Sequence, residues 1–305
     1  MNKRGIISIL TVGLIFSSLS LGTVHAEDNQ YELSKKAIDQ QNELKKPLNE
    51  DIHNSRVFEV FETNSLKTLK GTQNSKNING NKSISAANKD PLFESEYNDE
   101  FRVADSMLLN RLMYGQFLPM YDTDIFKVTI PKKGLFLVAG SSNSYAIELA
   151  FGTFEKDYKD NGNLEYLGSE FNGDVEVQVY QVHKGGTYYI SAFDYDNTYD
   201  LDDNTYDDMY AFMASFVDNV KPTMPTVNKV DSNDKVVTGK AEPNSSVNVR
   251  HGKTGLGTAK ATSKGDFSVK ITAQKAGAKL TVTAKDAANN VSPTAKVTVA
   301  KASKK

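Results

Sequence analysis

Six apolar runs between Ile125 and Val217 constrain this chain more than any other feature. They are Ile125–Ile130, Leu135–Ala139, Ala146–Phe151, Val175–Val182, Thr187–Phe193 and Met209–Val217. Each mixes alternation with continuous apolar character, and valine, isoleucine, tyrosine and phenylalanine dominate, as a pleated, half-buried surface favours. Gly134, Gly152, Gly173 and Gly185-Gly186 fall between them, where turns need backbone freedom. No helical period intervenes. Short strands at this spacing predict an all-β segment folded as an antiparallel sandwich.

The N-terminus sets the compartment. Lys3-Arg4, an apolar run from Ile6 to Leu21 and Val24-His25-Ala26 read as a secretory signal peptide over 1–26. A retained signal anchor is the alternative, but the run is short and polar sequence soon follows. No membrane span is expected after cleavage, and the C-terminus carries no recognisable sorting signal. The chain has no cysteine, so core packing or a bound ion must hold it together. The expected location is extracellular, either free or held on the cell wall without a covalent link. Residues 27–90 form a polar leader. Tyr31 to Lys46 has helix-forming composition, Val57-Phe58-Glu59-Val60-Phe61 is a short apolar patch, and Gly71 to Lys89 reads as a disordered linker. A pro-segment and a spacer remain open as readings of it.

Immediately after the leader, oxygen-bearing side chains crowd together. Glu94-Ser95-Glu96-Tyr97-Asn98-Asp99 is followed by Asp122-Thr123-Asp124 at the start of the first strong strand. Carboxylates and amides alternating beside a sheet suit a hard cation such as calcium, which takes six to eight oxygen ligands. A solvated acidic turn is the competing reading.

These residues also carry a resemblance. Glu-x-Glu-x-Asn-Asp, Phe101, Ala104 and the Asp-x-Asp-Ile-Phe-Lys-Val run resemble the bacterial pre-peptidase C-terminal domain, including the collagen-binding members in clostridial collagenases. The likeness continues through Gly185-Gly186-Thr187-Tyr188-Tyr189-Ile190 and Phe193-Asp194-Tyr195-Asp196-Asn197, and spans about residues 91–218. It implies a jelly-roll-like β-sandwich with calcium as cofactor, held by Glu94, Glu96, Asn98, Asp99, Asp122 and Asp124. It also implies a ligand-binding surface on one strand and its loop, where Tyr195 sits at a matching position; alternation adds Tyr188 and Phe193 as candidates, with core packing the competing role for most of these aromatics. Tyr97 stands where the family usually has proline, and Ser191 stands where the collagen-binding members carry a tyrosine.

Lys221-Pro222-Thr223-Met224-Pro225 marks a stiff hinge, placed at 219–225. Beyond it the composition shifts to lysine, threonine, alanine and valine. Val236-Val237-Thr238-Gly239-Lys240-Ala241-Glu242-Pro243-Asn244, Gly265-Asp266-Phe267-Ser268-Val269 and Leu280 to Ser292 resemble bacterial Ig-like repeats of Gram-positive surface proteins. That likeness implies a second small sandwich of seven strands over 226–305. Asn289 takes a position where the family usually has glycine, and asparagine is the next best residue for a left-handed backbone. The whole chain is thus expected to be all-β, two tandem antiparallel sandwiches after a signal peptide and a partly disordered leader.

The two modules differ in charge. Residues 91–218 carry 8 basic and 23 acidic side chains, and residues 221–305 carry 16 and 5. Fields of that size steer charged partners. Chemistry is harder to find. His53, His183 and His251 are the histidines outside the signal segment, and no zinc-protease, serine-elbow or phosphate-loop motif occurs. Asp200-x-Asp202-x-Asn204 opens like an EF-hand, but Thr205 replaces the needed glycine and Ala211 the bidentate glutamate. The reading is a non-catalytic, monomeric adhesion protein that binds cell wall, matrix or another extracellular polymer, collagen-like or anionic, with no nucleic acid expected. The alternative is an accessory factor of a secreted protease: an inhibitor, chaperone or pro-region.

Overall fold

The computed structural model describes residues 91–119, 121–196 and 204–303. The signal-peptide and leader expectations lie outside the described residues, as do Asp200, Asp202 and Asp203. The described chain is built of strands, with one short 3-10 turn at Lys156–Tyr158. No described helix is long and apolar enough to cross a membrane.

Ten strands make the first sandwich. They are β1 (Leu92–Phe93), β2 (Asp105–Met107), β3 (Leu112–Gly115), β4 (Thr123–Ile130) and β5 (Gly134–Ser142), then β6 (Leu149–Phe154), β7 (Leu164–Asn172), β8 (Val175–Val182), β9 (Gly186–Asp194) and β10 (Tyr210–Val217). One sheet has the order β1-β3-β10-β5-β8-β7 and the other β2-β4-β9-β6. Between them lies an aromatic core in which Phe126, Phe136, Phe151, Tyr180 and Phe212 are fully buried. Phe151 and Phe212 meet edge to face at 5.0 Å, a geometry that the ring quadrupole favours.

Five of the six predicted runs become strands, and of Ala146–Phe151 only Leu149–Phe151 does, as the start of β6. Pairing is antiparallel except for two short parallel contacts, β1 with β3 and β2 with β4, which the antiparallel reading did not include. Gly152 sits inside β6 opposite Ser191 rather than in a turn. Strand β7 escapes the pattern because Glu165 and Glu170 interrupt its apolar positions and its register shifts between Tyr166 and Gly168. It is an edge strand, where charge and irregularity are tolerated. The six-stranded sheet is apolar on both faces. Leu135, Leu137 and Ala139 point away from the core that Phe136 and Val138 enter.

Seven strands make the second sandwich: β11 (Thr226–Val227), β12 (Val236–Lys240), β13 (Ser246–His251), β14 (Thr254–Lys260), β15 (Asp266–Lys270), β16 (Lys279–Lys285) and β17 (Ala295–Thr298). The sheets run β11-β12-β15 and β14-β13-β16-β17. Here β12, β15 and β16 alternate strictly, and Val237, Val247, Val249, Phe267, Val269, Leu280 and Val282 fill one core. Asn289 adopts a left-handed backbone with φ of 70°. Its neighbour Asn290 ties this turn to the linker, donating from Nδ2 to the Asp218 carbonyl at 2.9 Å.

Candidate metal centre

The acidic stretch is anchored at both ends by backbone. Glu94 N–H donates to the Tyr114 carbonyl at 3.0 Å, continuing the β1–β3 pairing. The Asn98 carbonyl accepts from Ile125 N–H at 3.2 Å, which lays the stretch beside the start of β4. Between these points Asp105 acts as a staple. Its Oδ2 accepts Ser95 N–H at 2.6 Å and Asn98 Nδ2 at 3.4 Å. The β3–β4 connection then brings in Asp122, whose Oδ2 accepts Leu118 N–H at 2.8 Å.

The result is a compact cluster of carboxylates. Oxygens of Glu94, Glu96 and Asp124 lie within 4.8 Å of one another, and so do oxygens of Glu96, Asp99 and Asp122. Glu96 is common to both groups, so all five carboxylates predicted as ligands converge. Asn98, the sixth predicted ligand, is fully buried. Its Oδ1 has no partner, and neither do buried oxygens of Asp99 and Asp124. Orphaned buried acceptors cost about 1–3 kcal/mol each, more for charged groups, so their convergence calls for a neutralising partner.

Tyr210 sharpens that need. Its hydroxyl lies 2.5 Å from both Glu94 Oε2 and Asp124 Oδ2. One hydroxyl proton cannot serve two carboxylates at that range, so a further proton or a cation must enter the group. The protonation equilibria agree. Burial, then repulsion from Glu94 and Asp122, drives the Asp124 carboxyl well above its ordinary range. Burial also raises Glu94 and Asp99. Partial burial and the charges of Glu94, Asp99 and Asp105 push Glu96 up to about 7. Burial and Glu96, Asp99 and Glu94 push Asp122 up to about 8. A set of oxygen donors this rich and this repulsive fits a hard divalent cation.

Sequence reasoning missed Tyr210 and Asp105. Tyr210 is 86 residues from Asp124 in the chain, and its position looks like any core aromatic. Asp105 stands alone in an otherwise unremarkable stretch.

The aromatic candidates come out differently. Tyr188 and Phe193 are each 3% exposed and do not offer a binding platform. Tyr188 enters the main core and its hydroxyl donates to the Lys184 carbonyl at 2.6 Å. Tyr189, on the opposite face, is covered by Phe101, with ring centroids 4.8 Å apart. The segment before β2 thus closes the face that alternation alone leaves open. Phe193 packs on Ala150, with Phe154 and the half-buried Tyr195 against them. Tyr195 alone of the three keeps accessible surface. Asp194, in the acidic loop, is an internal staple: its carboxylate accepts from Glu148 N–H, Asp196 N–H and Asn204 Nδ2.

Comparison with known proteins adds the following. Residues 221–301 match the family model described as bacterial Ig domain. A cell wall-associated protease of Bacillus subtilis (strain 168) is 46% identical over 78 residues, which is 25% of this chain and 9% of that protein. Among solved structures, the adhesin domain of Epf from Streptococcus pyogenes aligns over 60% of this chain and 72% of its own, at 13% identity and a TM-score of 0.35. The pre-peptidase C-terminal domain of collagenase from Bacillus anthracis aligns over 37% of this chain and 94% of its own, at 17% identity and a TM-score of 0.28.

Proposed function

We propose that this chain is a secreted, non-catalytic binding protein that attaches to cell wall, matrix or another extracellular polymer, and that calcium stabilises its first sandwich. The observation that carries the reading is the carboxylate cluster with its orphaned oxygens on Asn98, Asp99 and Asp124. Glu94, Glu96, Asn98, Asp99, Asp122 and Asp124 would hold the ion. Bound there, it supplies positive charge and no reaction. The chain's own residues do the mechanical part. Asp105 fixes the loop, Tyr210 of β10 joins Glu94 to Asp124 of β4, the Asn98 carbonyl holds the loop to Ile125, and Asp122 fixes the β3–β4 connection. The bacterial Ig match at 221–301 supports a surface role.

The test has two arms. Calcium added to chelator-treated protein should raise the Tm of the first sandwich, and Glu96→Ala combined with Asp124→Ala should erase the rise. An unchanged response in that double variant rejects the ion site. In the second arm the full chain is sedimented with bacterial walls, collagen and chitin, in calcium and then in chelator. Selective pelleting with one of them names the polymer class. Failure to pellet with any rejects attachment and favours an accessory factor of a secreted protease.

A further inference from the structure

The charge of the second sandwich is sorted between its two sheets. In the sheet β14-β13-β16-β17, alternation turns Val247, Val249, Leu280 and Val282 into the core, so their neighbours form the outer face. The registers place Lys260 and Lys285 on either side of Ser246, and Arg250 and Lys296 on either side of Thr281. Lys279 extends the same face at the end of β16, opposite Thr298. All five cations are exposed, and none forms an ion pair with a described residue. No carboxylate lies on any strand of this sheet. Asp231, Asp234, Glu242 and Asp286 lie between strands, and Asp266 is on β15. There it pairs with Lys240 at 2.7 Å, so the opposite sheet offsets part of its own charge, which this one does not.

We infer that this face is where the chain takes hold of an extracellular polymer, and that the polymer is a linear chain of phosphate diesters joined by aliphatic polyols. The inference rests on the attachment reading above and gives it a surface and a chemistry. Charge complementarity carries it. Four of the five cations are lysines, compact point charges suited to a run of phosphates rather than to one planar carboxylate gripped at two points. Strands stand about 4.8 Å apart, so each flanking pair spans roughly 10 Å, and six residues of β16 carry Lys285 roughly 20 Å from Lys279. Positive charge spread over a flat area of that size fits a long repeating polyanion and not a small one. Between the charged rows, Thr258, Asn248 and Thr283 form a neutral row, with Asn248 Nδ2 donating to Thr258 Oγ1 at 3.0 Å. Polyol hydroxyls find donors and acceptors there. Nucleic acid fits less well. Phe267 is the one Phe, Tyr or Trp in 221–305 and it is buried, so the face offers nothing on which bases stack. The acidic first sandwich repels such a polymer, which leaves the second to make the contact.

The test measures binding of the full chain to poly(glycerol phosphate). One variant carries Arg250→Gln, Lys279→Gln, Lys285→Gln and Lys296→Gln. A control carries Lys235→Gln, Lys264→Gln, Lys270→Gln and Lys275→Gln, which removes the same charge from exposed positions off the face. All eight side chains are exposed, and an unchanged Tm of the second sandwich verifies that both variants fold. Four or five neutralised phosphates predict that affinity of the unmodified chain falls roughly 50–100-fold between about 50 and 200 mM salt. The face variant should bind at least about 30-fold more weakly at the lower salt, with most of the salt dependence gone, while the control stays within about threefold. Equal losses in the two variants would show that net charge alone is read and would overturn the inference. Tighter binding to oligothymidylate with the same number of phosphates would overturn it in favour of nucleic acid. Self-association that only the face variant loses, without polymer binding, would overturn it in favour of the acidic sandwich of a second copy. Undiminished pelleting of the face variant with bacterial walls would overturn this inference and leave attachment standing. Absence of pelleting by the unmodified chain would strike the attachment reading and this inference with it.

Discussion

The carboxylate cluster predicts an unusual coupling between pH, calcium and stability. In chelator, Glu96 and Asp122 titrate near 7 and 8 in the folded state, while the unfolded chain loses those protons near 4.5 and 3.8. Between these values the folded state binds more protons than the unfolded state, so stability falls as pH rises. The window runs from about pH 4 to about pH 8. Each unit of pKa difference is about 1.4 kcal/mol. Buried Asp122 therefore contributes a loss on the order of 3–6 kcal/mol across the window, and the more exposed Glu96 adds less because water screens it. On the proposed reading calcium would replace the protons as neutralising charge, so the loss should shrink or reverse when the ion is present. The assay is urea unfolding of the full chain at four or five pH values, in chelator and in millimolar calcium, following the first sandwich. Chelated protein that is as stable at pH 8 as at pH 5 would refute the argument. So would parallel pH profiles with and without calcium, since the five carboxylates would then not share one neutralising site.

Two further expectations follow from single contacts. Tyr210→Phe removes the hydroxyl between Glu94 and Asp124, and should cost about 1–3 kcal/mol in chelator and clearly less in calcium; equal losses in both would argue that the hydroxyl acts apart from the cluster. Gly239→Ala places a methyl 2.0 Å from the Thr226 carbonyl oxygen, so the second sandwich should lose about 1–3 kcal/mol in an unfolding trace while the first is unchanged.

The division between sequence and tertiary structure is visible in particular residues. Strand positions such as Val175–Val182 were legible because alternation and glycine punctuation are local signals, and Asn289 was legible through the Ig-like resemblance, which puts glycine there, asparagine being the next best residue for a left-handed backbone. The carboxylate cluster was legible too, since four carboxylate or amide side chains in six residues and an Asp pair at a strand start are dense enough to read without a fold. What alternation could not supply was the identity of the layer beyond each face. Tyr188 and Tyr189 alternate, yet both are buried, because Phe101 arrives from another segment to close the second side. Tyr210 joins the carboxylate cluster only because β10 lies beside β3, which places its hydroxyl between Glu94 and Asp124, 116 and 86 residues away in the chain. The run Leu135–Ala139 was read as a strand, but only the structure showed that both of its faces are buried and which of them meets the four-stranded sheet. Periodicity is a property of one strand. The chemistry at a face belongs to whatever the fold brings against it.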